Sequence, residues 1–259
     1  MRVKKPEIME HIISFVNEFR REYGRSPSTS EIGAEVGVAK GTAYTYLTRM
    51  NELGMIRYDG KPIPEDIVSK LNDRVMENNE RYGLSIRLIT NDGSAVPGVI
   101  KLILAKGVNN FFIMAGPDGA DELCGYCGAD LMLYAQTLGL NTWWVGGTYN
   151  RKGAQEKSEG AKPVGIIAVG YGQTQGVPHK TKKAEQVGSY DGKAPQWFKD
   201  GIEAALLAPT ALAKQAFTIS GIENKVSISC DNGIFTGVDT GLVKYHFELG
   251  AGKDNFEWA

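Results

Sequence analysis

The chain has 259 residues, a formal net charge of −1, and 42% hydrophobic against 23% charged residues, the balance of an ordinary soluble globular protein and not of a disordered one. No apolar run approaches the roughly 18 residues that span a bilayer, and Met1-Arg-Val-Lys-Lys-Pro6 leads into an amphipathic helix without a signal-type apolar core or cleavage site. A cytoplasmic protein is expected, with Cys124, Cys127 and Cys230 reduced.

From Ile8 to Tyr23 the apolar Ile8, Ile12, Phe15 and Phe19 recur at helical spacing with charges opposite, which predicts an amphipathic helix. Ser28-Thr-Ser-Glu31 reads as a capping box opening a second, short helix with Ile32 and Val36 inward. Gly37 then turns the chain into a third helix carrying Ala43, Leu47, Met50 and Leu53, and this pairing reads as helix-turn-helix. Lys40, Thr42, Tyr44, Thr45, Thr48 and Arg49 would project outward from it, offering donors to phosphates and base edges. Met55 to Tyr58 fits one strand of a short wing. Ten Lys or Arg less eight Asp or Glu leaves residues 1–61 at only +2, so packing or dimerisation stands beside DNA binding as the role of this module.

Tyr23 to Gly37 and Ala43 to Arg57 resemble the DNA-binding domain of LexA-type repressors and other winged helices. The resemblance implies a winged helix-turn-helix domain over residues 1–60, with double-stranded DNA as partner and Lys40, Thr42, Tyr44, Thr45 and Arg49 as contacts.

Beyond it, residues 61–259 read as one larger domain. Pro64 opens a polar amphipathic helix to about Tyr82, with Ile67, Leu71 and Val75 on one face, and Ser85 to Thr90 reads as a strand. Val99 to Ala105 and Asn109 to Ala115 are two further apolar segments, of which Asn110 to Ala115 is expected to be a strand. From Ala129 to Leu140 the apolar residues wrap all round a helix, the pattern of a core or dimer-core element. Gly139 ends that helix, Asn141 to Val145 is extended and aromatic, and Gly146-Gly147 leaves backbone N–H groups open to a flat ligand. The Cys124-x-x-Cys127 pair lacks the second pair or spaced histidines of a zinc site and reads as packing, so no metal is expected.

Pro163 to Val169 has the continuous apolar run of a buried strand. Gly170-Tyr-Gly172-Gln-Thr-Gln-Gly176 misses the dinucleotide fingerprint, its third glycine being one place too far and Pro178 standing where a helix should start. Trp197 to Leu207 reads as a helix and Phe217 to Ser220 and Lys225 to Cys230 as strands. A turn at Asp231-Asn-Gly233 leads to a helix capped by Asp239 and carrying Leu242, Val243, His246 and Phe247. The pattern is α+β, a sheet flanked by helices. The scattered histidines give no serine or cysteine a partner for nucleophilic catalysis.

The run Leu138-Gly-Leu-Asn-Thr-Trp-Trp-Val-Gly-Gly147 resembles the flavin-dependent nitroreductase segment that packs against the isoalloxazine of FMN. Leu207-Ala-Pro-Thr-Ala-Leu-Ala-Lys-Gln215 is similar to the same family's Ala-Pro-Ser-Ala-x-Asn-x-Gln motif, and Tyr58-Asp-Gly-Lys-Pro-Ile63 to its opening segment. The resemblance implies a homodimer with FMN at the subunit interface, NAD(P)H as electron donor, and a nitroaromatic or quinone-like acceptor reduced by ping-pong chemistry that the flavin carries without a catalytic side chain. It puts Gly146 and Gly147 near the ring and Thr210, Ala211 and Gln215 along the flavin. Arg57 and Lys180 or Lys182, the latter two in the basic run His179 to Lys183, would meet the phosphate. Ala213 stands where the family has asparagine, and of its N-terminal arginines only Arg57 remains. The alternative is a transcriptional regulator whose degenerate reductase fold senses a flavin, a redox state or a small molecule.

Overall fold

The computed structural model describes residues 6–23, 27, 29–43, 45–46, 62–95, 108–172 and 179–259. At the N-terminal end α1 (Pro6–Tyr23) and α2 (Thr29–Glu35) are followed by helical turns at 40–43 and 45–46. Met9, Ile12, Ile32, Ala43 and Tyr46 close a small core between them. Gly37 turns the chain at φ 66°, a left-handed conformation natural to glycine. The Ser28 capping box, the helix positions Leu47, Met50 and Leu53, the Met55 to Tyr58 wing and the Val99 to Ala105 segment lie outside the described residues.

Pro64 precedes α3 (Glu65–Tyr82), which ends at Gly83 in the left-handed region with its N–H on the Asn79 carbonyl. There follow β1 (Arg87–Ile89), β2 (Phe111–Gly116), α4 (Asp121–Thr137), β3 (Asn141–Val145), α5 (Arg151–Lys157) and β4 (Lys162–Gly170). The remainder comprises β5 (Gly188–Tyr190), α6 (Gln196–Ala205), β6 (Phe217–Ile222), β7 (Lys225–Cys230), α7 (Thr236–Ala251) and β8 (Glu257–Trp258). The strands form two four-stranded sheets, ordered β1-β2-β4-β3 and β5-β6-β7-β8. In the first all neighbours are antiparallel, with β2 wholly buried; in the second, β5 with β6 and β7 with β8 run parallel.

The order of elements repeats. A helix, two antiparallel strands, a helix and a strand occur once as α3-β1-β2-α4-β3 and again as α6-β6-β7-α7-β8. The two inner helices share a spelling, Leu131-Met-Leu-Tyr134-Ala-Gln-Thr-Leu138-Gly139 in and just after α4 and Leu242-Val-Lys-Tyr245-His-Phe-Glu-Leu249-Gly250 in α7. They pack against each other at backbone distance. A Cβ on Gly125 would lie 2.1 Å from the Val238 carbonyl oxygen, and one on Gly241 only 1.9 Å from that of Glu122, so neither position tolerates a side chain. The apolar α4 thus finds cover from α7 of its own chain.

Three short elements, α5, β5 and β8, had no counterpart in the sequence expectations, being too brief to show a period. The start of α7 corrects another. Asp239 does not cap that helix, because Thr236 closes the preceding turn by accepting the Gly233 N–H at 2.7 Å and the helix begins there. Asp239 sits in the first turn with its side chain engaged elsewhere.

Candidate functional site

Where the end of β3, the loop after α6 and the first turns of α7 converge, they enclose a cavity of about 550 Å3. Strand alternation sends the two tryptophans of β3 to opposite faces. Trp144 lies against Gly128 of α4, where a Cβ would come within 2.1 Å of the indole, and joins the cores on either side of that helix. Trp143 packs between the β2–β4 core and the N-terminal helical core. Both line the cavity, with Met132, Val238 and Leu242 as further apolar wall. The Gly146-Gly147 pair forms the rim, and the Phe235 ring covers Gly146 so closely that a Cβ there would meet it at 2.6 Å.

The opposite wall is the segment 210–213, an unusual piece of backbone. Leu212, Ala213 and Gln215 all take positive φ, 57°, 52° and 49°, a left-handed conformation costing an L-residue about 1–2 kcal/mol. Side chains supply the compensating bonds. Thr210 Oγ1 accepts the Gln215 N–H at 3.0 Å, and Asp239 Oδ1 accepts the Ala211 N–H at 2.9 Å. The buried Gln215 amide donates to the Leu206 carbonyl at 2.7 Å and accepts the Lys182 N–H at 2.6 Å, which straps the 179–182 segment across the loop. Burial pushes the Asp239 carboxyl up to about 6, only partly opposed by the Ala211 N–H.

Of the residues the sequence pointed to, Gly146, Gly147, Thr210 and Ala211 come together on this cavity. Gln215 does not reach it. Its side chain is spent on the strap, within hydrogen-bond distance of His179 and Thr181 as well. The Lys182 ammonium donates to the Gln215 carbonyl at 2.8 Å, and Lys180 is exposed. Arg57, Tyr44 and Arg49 lie outside the described residues. Lys40, Thr42 and Thr45 are exposed, the Thr45 hydroxyl donating to the Gly41 carbonyl at 2.6 Å. Sequence reasoning missed Phe235 and Asp239 as wall residues; an acid inside a mostly apolar helix was the available signal for the second.

A smaller cavity of about 250 Å3 between α3, α4 and α7 surrounds Asp130. That carboxylate takes Arg74 Nε at 2.8 Å and Nη2 at 2.5 Å, Asn78 Nδ2 at 2.8 Å and the Tyr245 hydroxyl at 2.6 Å, tying three helices together. Burial raises its pKa, but these donors together outweigh burial and hold it below the usual carboxylate range. Nearby, burial pushes the thiols of Cys124 and Cys127 up to about 12, which leaves them un-ionised at neutral pH. Among the described residues no group of three His, Cys, Asp or Glu could hold a metal ion, and no helix is long and apolar enough to cross a membrane.

The two-sheet arrangement around paired helices is a nitroreductase fold. It superposes on the crystal structure of a "putative nitroreductase" from Thermotoga maritima with a TM-score of 0.53 and 16% identity, over 80% of this chain and 84% of that one. The chain belongs to the family described as "Putative TM nitroreductase", whose model matches residues 48–251. A further relative is a LexA repressor of Syntrophomonas wolfei, 29% identical over 103 residues. That stretch is 39% of this chain and 47% of the repressor, so the chain spans about half the length of this curated relative.

Proposed function

We propose that the chain is an FMN-dependent NAD(P)H oxidoreductase of the nitroreductase type, reducing nitroaromatic or quinone-like acceptors. The observation that carries this reading is the meeting of Gly146-Gly147 with Thr210-Ala211, distant in sequence, across one aromatic-walled cavity. The residues present fit the ring of the cofactor. A volume of about 550 Å3 lies within the span of small-molecule sites, and the mixture of indoles, aliphatic side chains and a few polar groups is what a flat heteroaromatic ring requires. Trp143, Trp144 and Leu242 would hold the ring and exclude water from its faces, while Gly146 and Gly147 let backbone approach its edge. Thr210 and Asp239 fix the loop that closes the other side. Bound FMN supplies the two-electron chemistry, and the protein supplies binding and orientation. For the phosphate we assign Lys180 or Lys182 and Arg57. A homodimer in the cytoplasm belongs to the same reading.

Visible spectra of the purified chain before and after FMN addition, with unbound flavin removed, test it. Retention near one flavin per chain, followed by NAD(P)H oxidation on adding a quinone, is the expected result. A colourless protein that does not retain FMN would overturn it.

The repressor relative and the exposed Lys40, Thr42 and Thr45 of the helical turns at 40–43 and 45–46 favour a second role for the N-terminal part. In that reading residues 1–60 are a winged helix-turn-helix that binds duplex DNA, and residues 61–259 are the reductase domain acting as its sensor. Fluorescence anisotropy with inverted-repeat duplexes at stepped salt decides this. Binding that weakens steeply with salt is expected, and no binding at low salt removes the role.

A further inference from the structure

We propose that Asp239 reads the bound ring, one carboxylate oxygen holding the Ala211 amide while the other accepts a hydrogen bond from an imide-type N–H of the ligand. The site would then select flat ligands that carry such a donor over N-alkylated ones. This rests on the flavin reading, since the oxidised isoalloxazine carries a single N–H, on its imide nitrogen.

Three observations lead to it. Among the described residues that line the cavity, Asp239 is the one with an ionisable acid or base, the others being apolar side chains, glycines and threonines. Among the described residues its carboxylate accepts one hydrogen bond, from the Ala211 N–H, whereas a carboxylate has about four lone-pair sites to fill. Asp130, a buried helix acid, takes four such bonds from Arg74, Asn78 and Tyr245. Asp239 is half-buried on the cavity wall with lone pairs to spare, so a donor carried in by a ligand has an acceptor waiting for it; burial also raises its pKa. Finally, the two inner helices differ at this point. In the shared register, where Leu242 matches Leu131, Asp239 matches Gly128, and the atoms nearest a Cβ at Gly128 belong to the Trp144 indole. The acid thus occurs in one of the two matching helices, at a position that lines the cavity.

The test compares two neutral probes, lumiflavin and N3-methyl-lumiflavin, titrated into the 259-residue chain at pH 8 with flavin fluorescence as readout. Lumiflavin should bind roughly tenfold or more tightly than its methylated form, the scale of a hydrogen bond to a charged group. Asp239→Asn keeps an oxygen for Ala211 but turns an N–H towards the ligand, so in this variant the preference should vanish or reverse. Equal binding of both probes by the unaltered chain overturns the proposal while leaving the flavin reading intact. A preference that survives in Asp239→Asn would come from the bulk of the methyl group and would also overturn it. If neither probe binds, the ring by itself is not recognised and the proposal fails, while the flavin reading is decided separately by FMN retention.

Discussion

Ala213 stands at φ 52° on the wall of the cavity, in the left-handed region that asparagine enters more readily than alanine. Ala213→Asn should therefore act twice. It relieves backbone strain, raising stability by about 0.5–1 kcal/mol in urea unfolding, and it returns an amide to the site, increasing FMN retention. Ala213→Gly shares only the first effect, so the pair of variants separates strain from recognition. Gly146 tests the opposite rim. A methyl there would meet the Phe235 ring at 2.6 Å, and Gly146→Ala should displace that ring and weaken FMN binding, whereas Gly147, with no atom nearer than 3.9 Å, should accept alanine without loss of stability. The glycine pair was legible in the sequence from its bare backbone, and the Ala-Pro-Thr-Ala run only through its resemblance to a family motif. Asp239 was not, since the bond that defines its role joins it to Ala211 across the fold.

Between elements, the contact of α4 with α7 is set by glycines that no larger residue can replace. Gly241→Ala would drive a methyl into the Glu122 carbonyl and should cost roughly 1–3 kcal/mol or more, read as a lower urea midpoint; Asp239, two residues away, would shift with the helix, so flavin binding should fall in parallel. Asp130 locks the same region to α3. Its carboxyl is held below the ordinary value in the fold and returns to it on unfolding, so its contribution is present above about pH 4 and is lost as pH falls through the depressed native value. Acid titration of the unfolding midpoint should show this fall, and Asp130→Asn, which removes the charge that the partly exposed Arg74 and the Tyr245 hydroxyl bond to, should flatten it while lowering stability at pH 7 by about 1–3 kcal/mol. The sequence revealed that α4 is apolar on all sides, which says that it is buried but not by what. The matching Leu-x-x-Tyr-x-x-x-Leu-Gly run in α7 was the signal that named its partner, and it is visible only when the two halves are laid side by side.

Across the whole molecule, Trp143 touches both the N-terminal helical core and the cavity. Replacing it with alanine removes a large apolar surface from beneath α1, and limited proteolysis should then cut the N-terminal helices several times faster while the sheet core stays resistant. If cleavage is unchanged, the N-terminal core is held by other contacts and its link to the cavity through Trp143 has no energetic weight. The strands Phe217 to Ser220 and Lys225 to Cys230 were legible one by one, but the division of strands into two sheets was not, because β5 and β8 have only three and two residues and owe their existence to neighbours, not to their own pattern.

The mutual burial of α4 and α7 also constrains how the chain reaches its structure. α4 ends at Thr137 and α7 begins only at Thr236, so α4 is complete long before α7 is made. During synthesis its apolar surface waits without its natural cover, and on refolding a very long loop must close before either helix is shielded. Slow refolding, with yield falling as protein concentration rises, follows from that delay; the same wait gives a nascent chain reason to depend on chaperones until α7 arrives.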